Sequence, residues 1–259
     1  MQKPLLLLLS AGCLISCNKD KSNPLNSFTW FGTQNNAVYN YVLINANQVL
    51  NKTNAEELHV GVSAAFIDSN NHQITSVRTL SVNNLLIEPS RDSTYNYDYA
   101  SSEMTKDFQV FGSQVLISIR GVEEADTVSS SIYVPKQLTC LITAYTDIIS
   151  LSQGMQLHWA PDEENTWGNV VIQVFYYKDL SRKGDSTLPD KISTLSLTVP
   201  DNGNYNLTNT DLQTFPRNAY IGITIARGTQ KEAILPISRK RVYYFSSASV
   251  STPPVRVAY

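Results

Sequence analysis

The residues with catalytic potential in this chain are few and lie far apart in the sequence. The three histidines are His59, His72 and His158. None of them belongs to a His-Glu-x-x-His or Cys-x-x-Cys pattern, which would bring ligands onto one metal ion. Ser63 follows Gly61 by two positions, but Ala65 stands where a nucleophile elbow needs its second glycine. We therefore expect no catalytic residue and interpret the histidines as structural or solvent-facing.

Acidic residues form three short clusters, each beside residues that favour turns. The clusters are Glu56–Glu57, Glu123–Glu124 and Asp162–Glu164. A glycosidase requires two carboxylates that face one cleft, and no spacing here establishes such a pair. The segment "PDEEN" (161–165) also lacks the alternating acids and central glycine of a calcium loop. The clusters are predicted to be solvated turns, with no metal site and no cofactor.

Aromatic side chains are better candidates for binding. Tyr95, Tyr97 and Tyr99 alternate in "STYNYDYAS", so an extended backbone would place their rings on one face about 6.6 Å apart. Exposed rings in such a row could stack on sugars or on a partner protein. The same alternation is typical of the inward face of a sandwich, which is the interpretation it favours. Trp167, in a loop between two predicted strands, is expected to be exposed and available for recognition.

The elements that carry these residues are predicted to be strands. Tyr, Val, Ile and Thr are frequent, with Asn and Ser between them, which is typical of strands joined by polar turns. Apolar and polar residues alternate in segments 59–68, 115–121, 129–134, 170–177, 193–199 and 220–226. Each segment ends near Gly, Pro, Asn or Asp, and the pattern as a whole indicates an all-β chain.

The charge balance argues against a nucleic-acid partner. The chain has 20 Lys plus Arg against 22 Asp plus Glu, and only 16% of its residues are charged, which is below the usual quarter. Pro135, which cannot donate to a strand ladder, follows a complete predicted strand. We place a domain boundary there, with one β-sandwich domain at 26–135 and a second at 136–259 that includes a C-terminal extension.

The amino terminus resembles a bacterial lipoprotein signal peptide. Lys3 precedes an apolar stretch at 5–16 that is too short to span a bilayer, which takes about 20 residues. Leu14, Ile15 and Ser16 before Cys17 are similar to a lipobox. Cys13 competes, because Ala11 and Gly12 suit a lipobox, but Ser10 stands where that pattern has Leu. The resemblance favours Cys17 and implies that residues 1–16 are removed.

Lipidation of Cys17 would determine the cellular location of the protein. A lipid thioether and an acylated amino group supply two anchoring signals, which together hold a protein stably on a membrane. The charged tether at 17–25 is similar to that of outer-membrane and surface lipoproteins of the Bacteroidota. This resemblance implies an outer-membrane location, possible surface exposure, and a membrane partner through the lipid. Cys140 then remains alone, so no internal disulfide is expected and its thiol is interpreted as a small buried hydrophobe.

Two segments of the second domain resemble a fibronectin type III module. The first, "MQLHWAPDEENTWGNVVIQVFYY" (155–177), is similar to two strands of that module with Trp159 facing inward. The second, "LQTFPRNAYIGITIARG" (212–228), is similar to a loop and the next strand, with Pro216 and Tyr220 at a tyrosine corner. The resemblance implies an immunoglobulin-like sandwich in which the Tyr220 hydroxyl bonds to upstream backbone. An insertion and a long tail depart from the family pattern and leave the topology open.

Two further patterns resemble sites of O-glycosylation. Asp126-Thr127-Val128 and Asp185-Ser186-Thr187 are similar to the Asp-Ser/Thr-x acceptor of envelope proteins in the Bacteroidota. The resemblance implies that Thr127 and Ser186 are modified.

Three hypotheses for function remain open at this point. The leading one is a lipid-anchored, non-enzymatic binding protein whose partner is another envelope protein or a surface glycan. The second is a structural subunit of a fimbria or envelope assembly, with "SVSTPPVRVAY" (249–259) as a donor strand. The third is a glycan-processing hydrolase, with carboxylates converging at the domain junction, or a carbohydrate-binding protein.

Overall fold

The computed structural model describes the chain between Asn40 and Ala258, with gaps. The described residues are 40–50, 56–66, 77–87, 95–100, 110–121, 127–138, 140–142, 148–150, 152–184, 186–189, 194–236, 239 and 241–258. Cys13, Cys17, the tether at 17–25, His72, Glu123 and Glu124 lie outside them. For some strand residues only the backbone is described, and these include Glu56, Glu57, His59, Ser63, Tyr95, Tyr97, Tyr99 and Cys140.

Strands dominate the described residues, which contain sixteen of them and two short helices. The first seven strands are β1 (Asn40–Leu50), β2 (Glu56–Phe66), β3 (Val77–Val82), β4 (Leu85–Ile87), β5 (Tyr95–Ala100), β6 (Ser113–Gly121) and β7 (Thr127–Val134). The next elements are β8 (Cys140–Ile142), β9 (Ile148–Ser150), β10 (Met155–Trp159), β11 (Asn169–Tyr176), α1 (Lys178–Gly184), β12 (Leu195–Pro200) and β13 (Asn204–Leu207). The last are α2 (Asn209–Leu212), β14 (Tyr220–Ile234), β15 (Arg241–Ser251) and β16 (Val255–Ala258). Each of the six segments chosen for its alternation overlaps one of these strands.

One long sheet runs through both halves of the chain. Its order is β12-β11-β14-β15-β1-β2-β5; β16 pairs with β14, and β9 pairs with β16. A four-stranded sheet, β4-β3-β6-β7, and a three-stranded sheet, β13-β10-β8, complete the described sheets. Strand β1 reaches the long sheet by pairing in parallel with β15, about two hundred residues away in sequence.

Each small sheet covers part of the long sheet, and each covered part encloses an apolar core. The first core joins residues of β1 and β2 to the four-stranded sheet, and it includes Val42, Ile44, Val62, Ile117 and Ile132. The second core joins β11, β14 and β16 to the three-stranded sheet, and it includes Leu157, Trp159, Ile172, Phe215 and Ile223. The prediction of an all-β sandwich fold is therefore confirmed.

The same face of β14 contributes to both cores, because alternate side chains of a strand share a face. Ile221, Ile223 and Ile225 lie in the second core, and Ala233 and Leu235 pack in or against the first. Residues 227, 229 and 231 occupy the intervening positions of this face. The boundary at 135/136 stays a prediction, and the hairpin of β14 and β15 serves the cores on both sides of it.

Two segments that departed from the fibronectin pattern have defined structures. The insertion contains α1, whose Ser181 hydroxyl accepts a hydrogen bond from the Tyr220 amide at 2.7 Å. The tail forms β16, which pairs with β14 and in parallel with β9. Val255 and Val257 of β16 are fully buried in the second core. The tail that the second hypothesis offers as a donor strand thus contributes β16 to its own sandwich.

Candidate functional site at the junction of the sandwiches

A cluster of polar groups, most of them buried, lies where the two sandwiches meet, and we call it the joint. The joint consists of Tyr133, Lys136, Trp159, Asp162, Asp201 and Arg227. Tyr133 is the penultimate residue of strand β7 in the first sandwich. Trp159, Asp201 and Arg227 come from β10, the β12–β13 turn and β14. The joint therefore brings together segments that are up to about a hundred residues apart in sequence.

Arg227 is the centre of the joint and its side chain is completely buried. Its Nε donates to the carbonyl of Lys136 at 3.1 Å, and its Nη2 donates to the carbonyls of Lys136 and Gln137 at 2.8 and 3.3 Å. Nη1 donates to the carbonyl of Ala160 at 2.9 Å and to Oδ2 of Asp201 at 3.0 Å. A guanidinium has five N–H groups, and these five bonds use all of them.

Asp201 couples Arg227 to the tryptophan of the second core. Its Oδ1 accepts a 2.7 Å hydrogen bond from Nε1 of Trp159. Gly203, two residues later, has φ near +90°, and its carbonyl accepts from the Trp159 amide at 2.8 Å. A Cβ at position 203 would lie 2.9 Å from the Trp159 carbonyl oxygen. Only glycine lets this turn approach β10 so closely, and the close approach places Asp201 beside Trp159 and Arg227.

Asp162 is the second buried carboxylate, and the prediction that it lies in a solvated turn is wrong. The Tyr133 hydroxyl donates to its two oxygens at 2.9 and 3.1 Å, and the Lys136 amide donates to Oδ2 at 2.8 Å. The Nε of Arg227 lies 4.0 Å from Oδ2. Glu163, the next residue, is exposed as expected. Asp162 differs from Glu163 because the Tyr133 hydroxyl and the Lys136 amide satisfy its charge away from water.

The electrostatics of the joint favour a neutral tyrosine. Burial of Tyr133, together with its hydrogen bond to the Asp162 carboxylate, raises the pKa of its hydroxyl well above the usual value of 10. Tyr133 therefore stays protonated and acts as a donor across the whole physiological range. The role that follows from this is a fixed structural contact rather than proton transfer.

Side chains of the long sheet continue the joint along the edge of β7. The hydroxyls of Thr229 and Ser246 both donate to the carbonyl of Tyr133, the latter at 2.6 Å. The Lys231 ammonium donates to the carbonyl of Ser131 at 2.8 Å. An unpaired strand edge exposes such carbonyls to other chains. Here alternate residues of β14, from 227 to 231, donate hydrogen bonds to the carbonyls of Gln137, Lys136, Tyr133 and Ser131.

This geometry has consequences for the chemistry of the junction. Two carboxylates do converge there, as the hydrolase hypothesis requires, but the side chains of Asp162 and Asp201 are only 0% and 2% exposed. Arg227 lies between them with its donors occupied. Within the described ranges, no three His, Cys, Asp or Glu side chains stand together to hold a metal ion. The joint can fix two sandwiches in place, and a substrate has no access to its carboxylates.

Trp167 lies in the predicted loop, between β10 and β11, and is half-buried. Its ring packs against Val171 and Ala226 on the opposite face of the long sheet from the cores. Its amide donates to Oδ1 of Asn165 at 3.4 Å, and its carbonyl accepts from Nδ2 of Asn169 at 3.0 Å. These two hydrogen bonds stabilise the loop around Trp167, and recognition by Trp167 stays a prediction.

The three tyrosines of the predicted row lie on β5. The backbone register pairs Tyr95 with Ala64 and Tyr97 with Val62, and both partners are buried. Tyr99 pairs with Val60. The side chains of the three tyrosines lie outside the described residues, so a role in ligand binding stays a prediction.

Among the residues predicted from the fibronectin pattern, Trp159 lies buried in the second core. Pro216 is half-buried beside Phe215, and its carbonyl accepts from the Ala219 amide at 3.2 Å. Tyr220 forms its described hydrogen bonds through its backbone, to Ser181 and Tyr177. The tyrosine corner stays a prediction.

The remaining predicted sites lie apart from the joint. Thr127, at the start of β7, and Ser186, in the turn after α1, are both exposed, and their glycosylation stays a prediction. His158 is half-buried on β10. Ser63 is inside strand β2 rather than at a strand-to-helix turn.

Sequence reasoning missed Arg227, although a signal for it existed. In "YIGITIARG" the odd positions carry Ile221, Ile223 and Ile225, so the next inward position on the same strand is Arg227. A charged residue that continues a buried apolar row needs buried partners. Asp162 and Asp201 carry no such local signal, because their burial depends on segments distant in sequence.

Comparisons with known proteins give little further guidance. No protein-family model matches the chain, and no curated protein matches it. The crystal structure of chicken CNTN1 FN1-FN3 domains aligns with 82% of this chain, at 10% identity and a TM-score of 0.24. The alignment covers 60% of that chain, so the present chain spans less than two thirds of its length. A superposition this loose establishes neither a common topology nor a function.

Proposed function

We propose that this chain is a non-enzymatic interaction protein, held on the bacterial outer membrane by a lipid on Cys17. Its two sandwiches act as one rigid support that presents exposed loops and sheet faces to another envelope protein or a surface glycan. The observation that carries this proposal is the joint, in which all five N–H groups of Arg227 donate hydrogen bonds to other groups of the protein. Polar groups that would serve catalysis are used there to connect the sandwiches.

A rigid connection suits a binding protein for a physical reason. Association costs free energy when loops or domains must be ordered on binding, and preorganisation reduces that cost. Loops held by a sandwich scaffold are frequent recognition elements. The Trp167 loop fits this role because both of its flanking asparagines hold it, while the Trp167 side chain remains partly exposed. A fibronectin type III-like second sandwich is part of the proposal, supported by the buried Trp159 on β10.

The membrane location rests on the sequence of the leader. Neither helix among the described residues is long and apolar enough to cross a membrane. A lipid on Cys17 would supply the attachment, with the folded residues from Asn40 onward outside the bilayer.

Labelling with radioactive palmitate tests the anchor. We expect the wild type and Cys13→Ala to incorporate the label and to sediment with outer membranes, and Cys17→Ala to do neither. Incorporation that persists in Cys17→Ala and disappears in Cys13→Ala would move the anchor to Cys13. No incorporation in the wild type would refute the anchor altogether.

The two alternatives have less support from the described contacts. Strand addition by the tail would require β16 to leave its sandwich and expose Val255 and Val257. Removing residues 255–259 should therefore destabilise the second sandwich, whereas a free donor strand could be removed with no change in melting temperature. The hydrolase hypothesis would require Asp162 or Asp201 to reach solvent, and both would first have to lose their partners in the joint.

A further inference from the structure

The path of β1 places the amino-terminal entry of the fold at one particular end of the long sheet. Strand β1 runs parallel to β15, with Tyr41 opposite Tyr243 and Val42 opposite Tyr244. Both strands therefore begin at the same end. Strand β14 ends at Ile234, which pairs with Arg241, the first residue of β15, so the chain turns from one strand to the other at this end. The chain that precedes Asn40 consequently enters beside this turn.

The turn carries a distinctive set of exposed side chains, which we call the hairpin tip. The hairpin tip consists of Ile234, Pro236, Arg239 and Arg241, all of which are exposed. Ile234 is a large apolar residue that is 51% exposed. The Arg241 side chain is 65% exposed and lies 3.5 Å from Glu232, an exposed ion pair of the kind that contributes little to stability. An apolar residue flanked by two guanidinium groups is suited to a surface of phosphates above hydrocarbon.

The predicted lipid is attached close enough for this end to face the membrane. Residues 18–39, 22 in all, connect Cys17 to Asn40. A flexible chain of that length has an average end-to-end distance of about 25 Å, well below its extended limit of about 75 Å. Helix α1 lies at the other end of β14, because its Ser181 bonds to Tyr220. Tyr220 and Ile234 are about 46 Å apart along the strand, at the usual rise of a β-strand. An anchor at this terminus thus tends to place the hairpin tip near the bilayer and α1 away from it.

We propose that the hairpin tip contacts the phosphate headgroups of the membrane into which the lipid inserts. The inference rests on the proposed anchor at Cys17. Arg239 and Arg241 pair with phosphates, and Ile234 lies at the level of the acyl chains. These contacts would orient the sandwiches on the surface, with the α1 end directed outward.

Vesicle sedimentation tests this contact independently of the lipid. The mature chain with Cys17→Ser, which cannot be acylated, is mixed with vesicles of phosphatidylcholine alone or with 30% phosphatidylglycerol. We expect it to bind only the anionic vesicles, in a salt-sensitive manner. Each basic residue near an anionic surface contributes roughly fivefold to binding. The pair Arg239→Gln and Arg241→Gln should therefore weaken binding by about 25-fold.

A matched control removes two positive charges at the other end of the molecule. Lys178→Gln with Lys183→Gln on α1 has the same net charge as the tip variant, and both of these lysines are exposed. We expect this control to bind like the parent, and Ile234→Ser to bind more weakly than the parent. Equal loss in the tip and control variants, or no preference for anionic vesicles, would overturn the inference while leaving the palmitate result intact. A negative palmitate result beside tip-dependent vesicle binding would instead refute the anchor alone.

Discussion

Arg227 and Tyr244 are both completely buried on the long sheet, but they differ in whether their polar groups form hydrogen bonds. Arg227 has a partner for each of its five N–H groups. The Tyr244 hydroxyl lies in the apolar first core and has no hydrogen-bond partner among the described residues. A buried polar group costs stability unless it is satisfied. Burial of Arg227 is therefore compensated by hydrogen bonds that join the two sandwiches. Burial of the Tyr244 hydroxyl is not compensated, and the stability it costs is offset by the packing of the aromatic ring in the first core.

Removing the arginine should produce the largest effect. Arg227→Met keeps much of the apolar stem but leaves Asp201 buried without its cation, and leaves Asp162 with only the half-exposed ammonium of Lys136, 4.0 Å away. Breaking a buried ion pair on one side typically costs about 3–5 kcal/mol, and we expect a loss of unfolding free energy in that range by urea denaturation. Arg256→Met, at an exposed arginine of β16, is the control and should cost under about 1 kcal/mol. If both variants lost a similar, small amount of unfolding free energy, the joint would not stabilise the fold more than an exposed arginine does.

Removing one donor from the joint should have an intermediate effect. Trp159→Phe retains an aromatic ring in the second core but deletes the 2.7 Å hydrogen bond to Asp201. Hydrogen bonds to charged groups contribute about 1.5–3 kcal/mol, and we expect a loss of that order in thermal or urea unfolding. Trp167→Phe is the matched change at a half-buried tryptophan outside the joint. Trp167→Phe should reduce the unfolding free energy by less than Trp159→Phe, because Trp167 is half-buried and water can reach the space left by the smaller ring.

Removing the unsatisfied hydroxyl should have the smallest effect and the opposite sign. Tyr244→Phe eliminates a buried donor without a partner, so we expect a gain of up to about 1 kcal/mol in unfolding free energy. Tyr176→Phe is the control, because the Tyr176 hydroxyl donates to the Pro189 carbonyl at 2.9 Å and its loss should not stabilise. A clear loss of stability in Tyr244→Phe would show that its hydroxyl is satisfied after all.

The same hydroxyl gives a distinct dependence on pH. Burial raises the pKa of Tyr244 to about 12 from its usual value of 10. The folded state therefore holds its proton where the unfolded state has released it, so stability should fall as pH rises from 10 to about 12. Tyr244→Phe should make this decline shallower, as measured by urea unfolding at several pH values. An unchanged slope would mean that Tyr244 does not titrate in this range.

How far the sequence predicts this molecule depends on the range of the interactions involved. Alternation located six strands, because the period of two is a property of each segment alone. The inward position of Trp159 was predicted from the resemblance to a fibronectin type III module, and the alternating burial along β10 agrees with it. The parallel pairing of β1 with β15 joins segments about two hundred residues apart, and no local pattern encodes that register.

The joint shows the same limit for polar residues. Arg227 was open to prediction, because it continues the row of Ile221, Ile223 and Ile225. The burial of Asp162 could not be predicted, because "PDEEN" has the composition of a solvated turn. Only the folded structure shows that Tyr133 and Lys136 lie beside it. The carboxylate is buried by a different sandwich, and that packing emerges only from the assembled fold.

The central claim is that the shared sheet and the joint make the two sandwiches one cooperative unit. Hydrogen exchange resolved by peptide tests it, by comparing β6 of the first sandwich with β10 of the second. We predict that amides in both strands exchange with the same opening free energy in the wild type, and that Arg227→Met lowers both together. Strand β6 opening at a clearly different free energy from β10 in the wild type, with only one of them affected by Arg227→Met, would contradict the account.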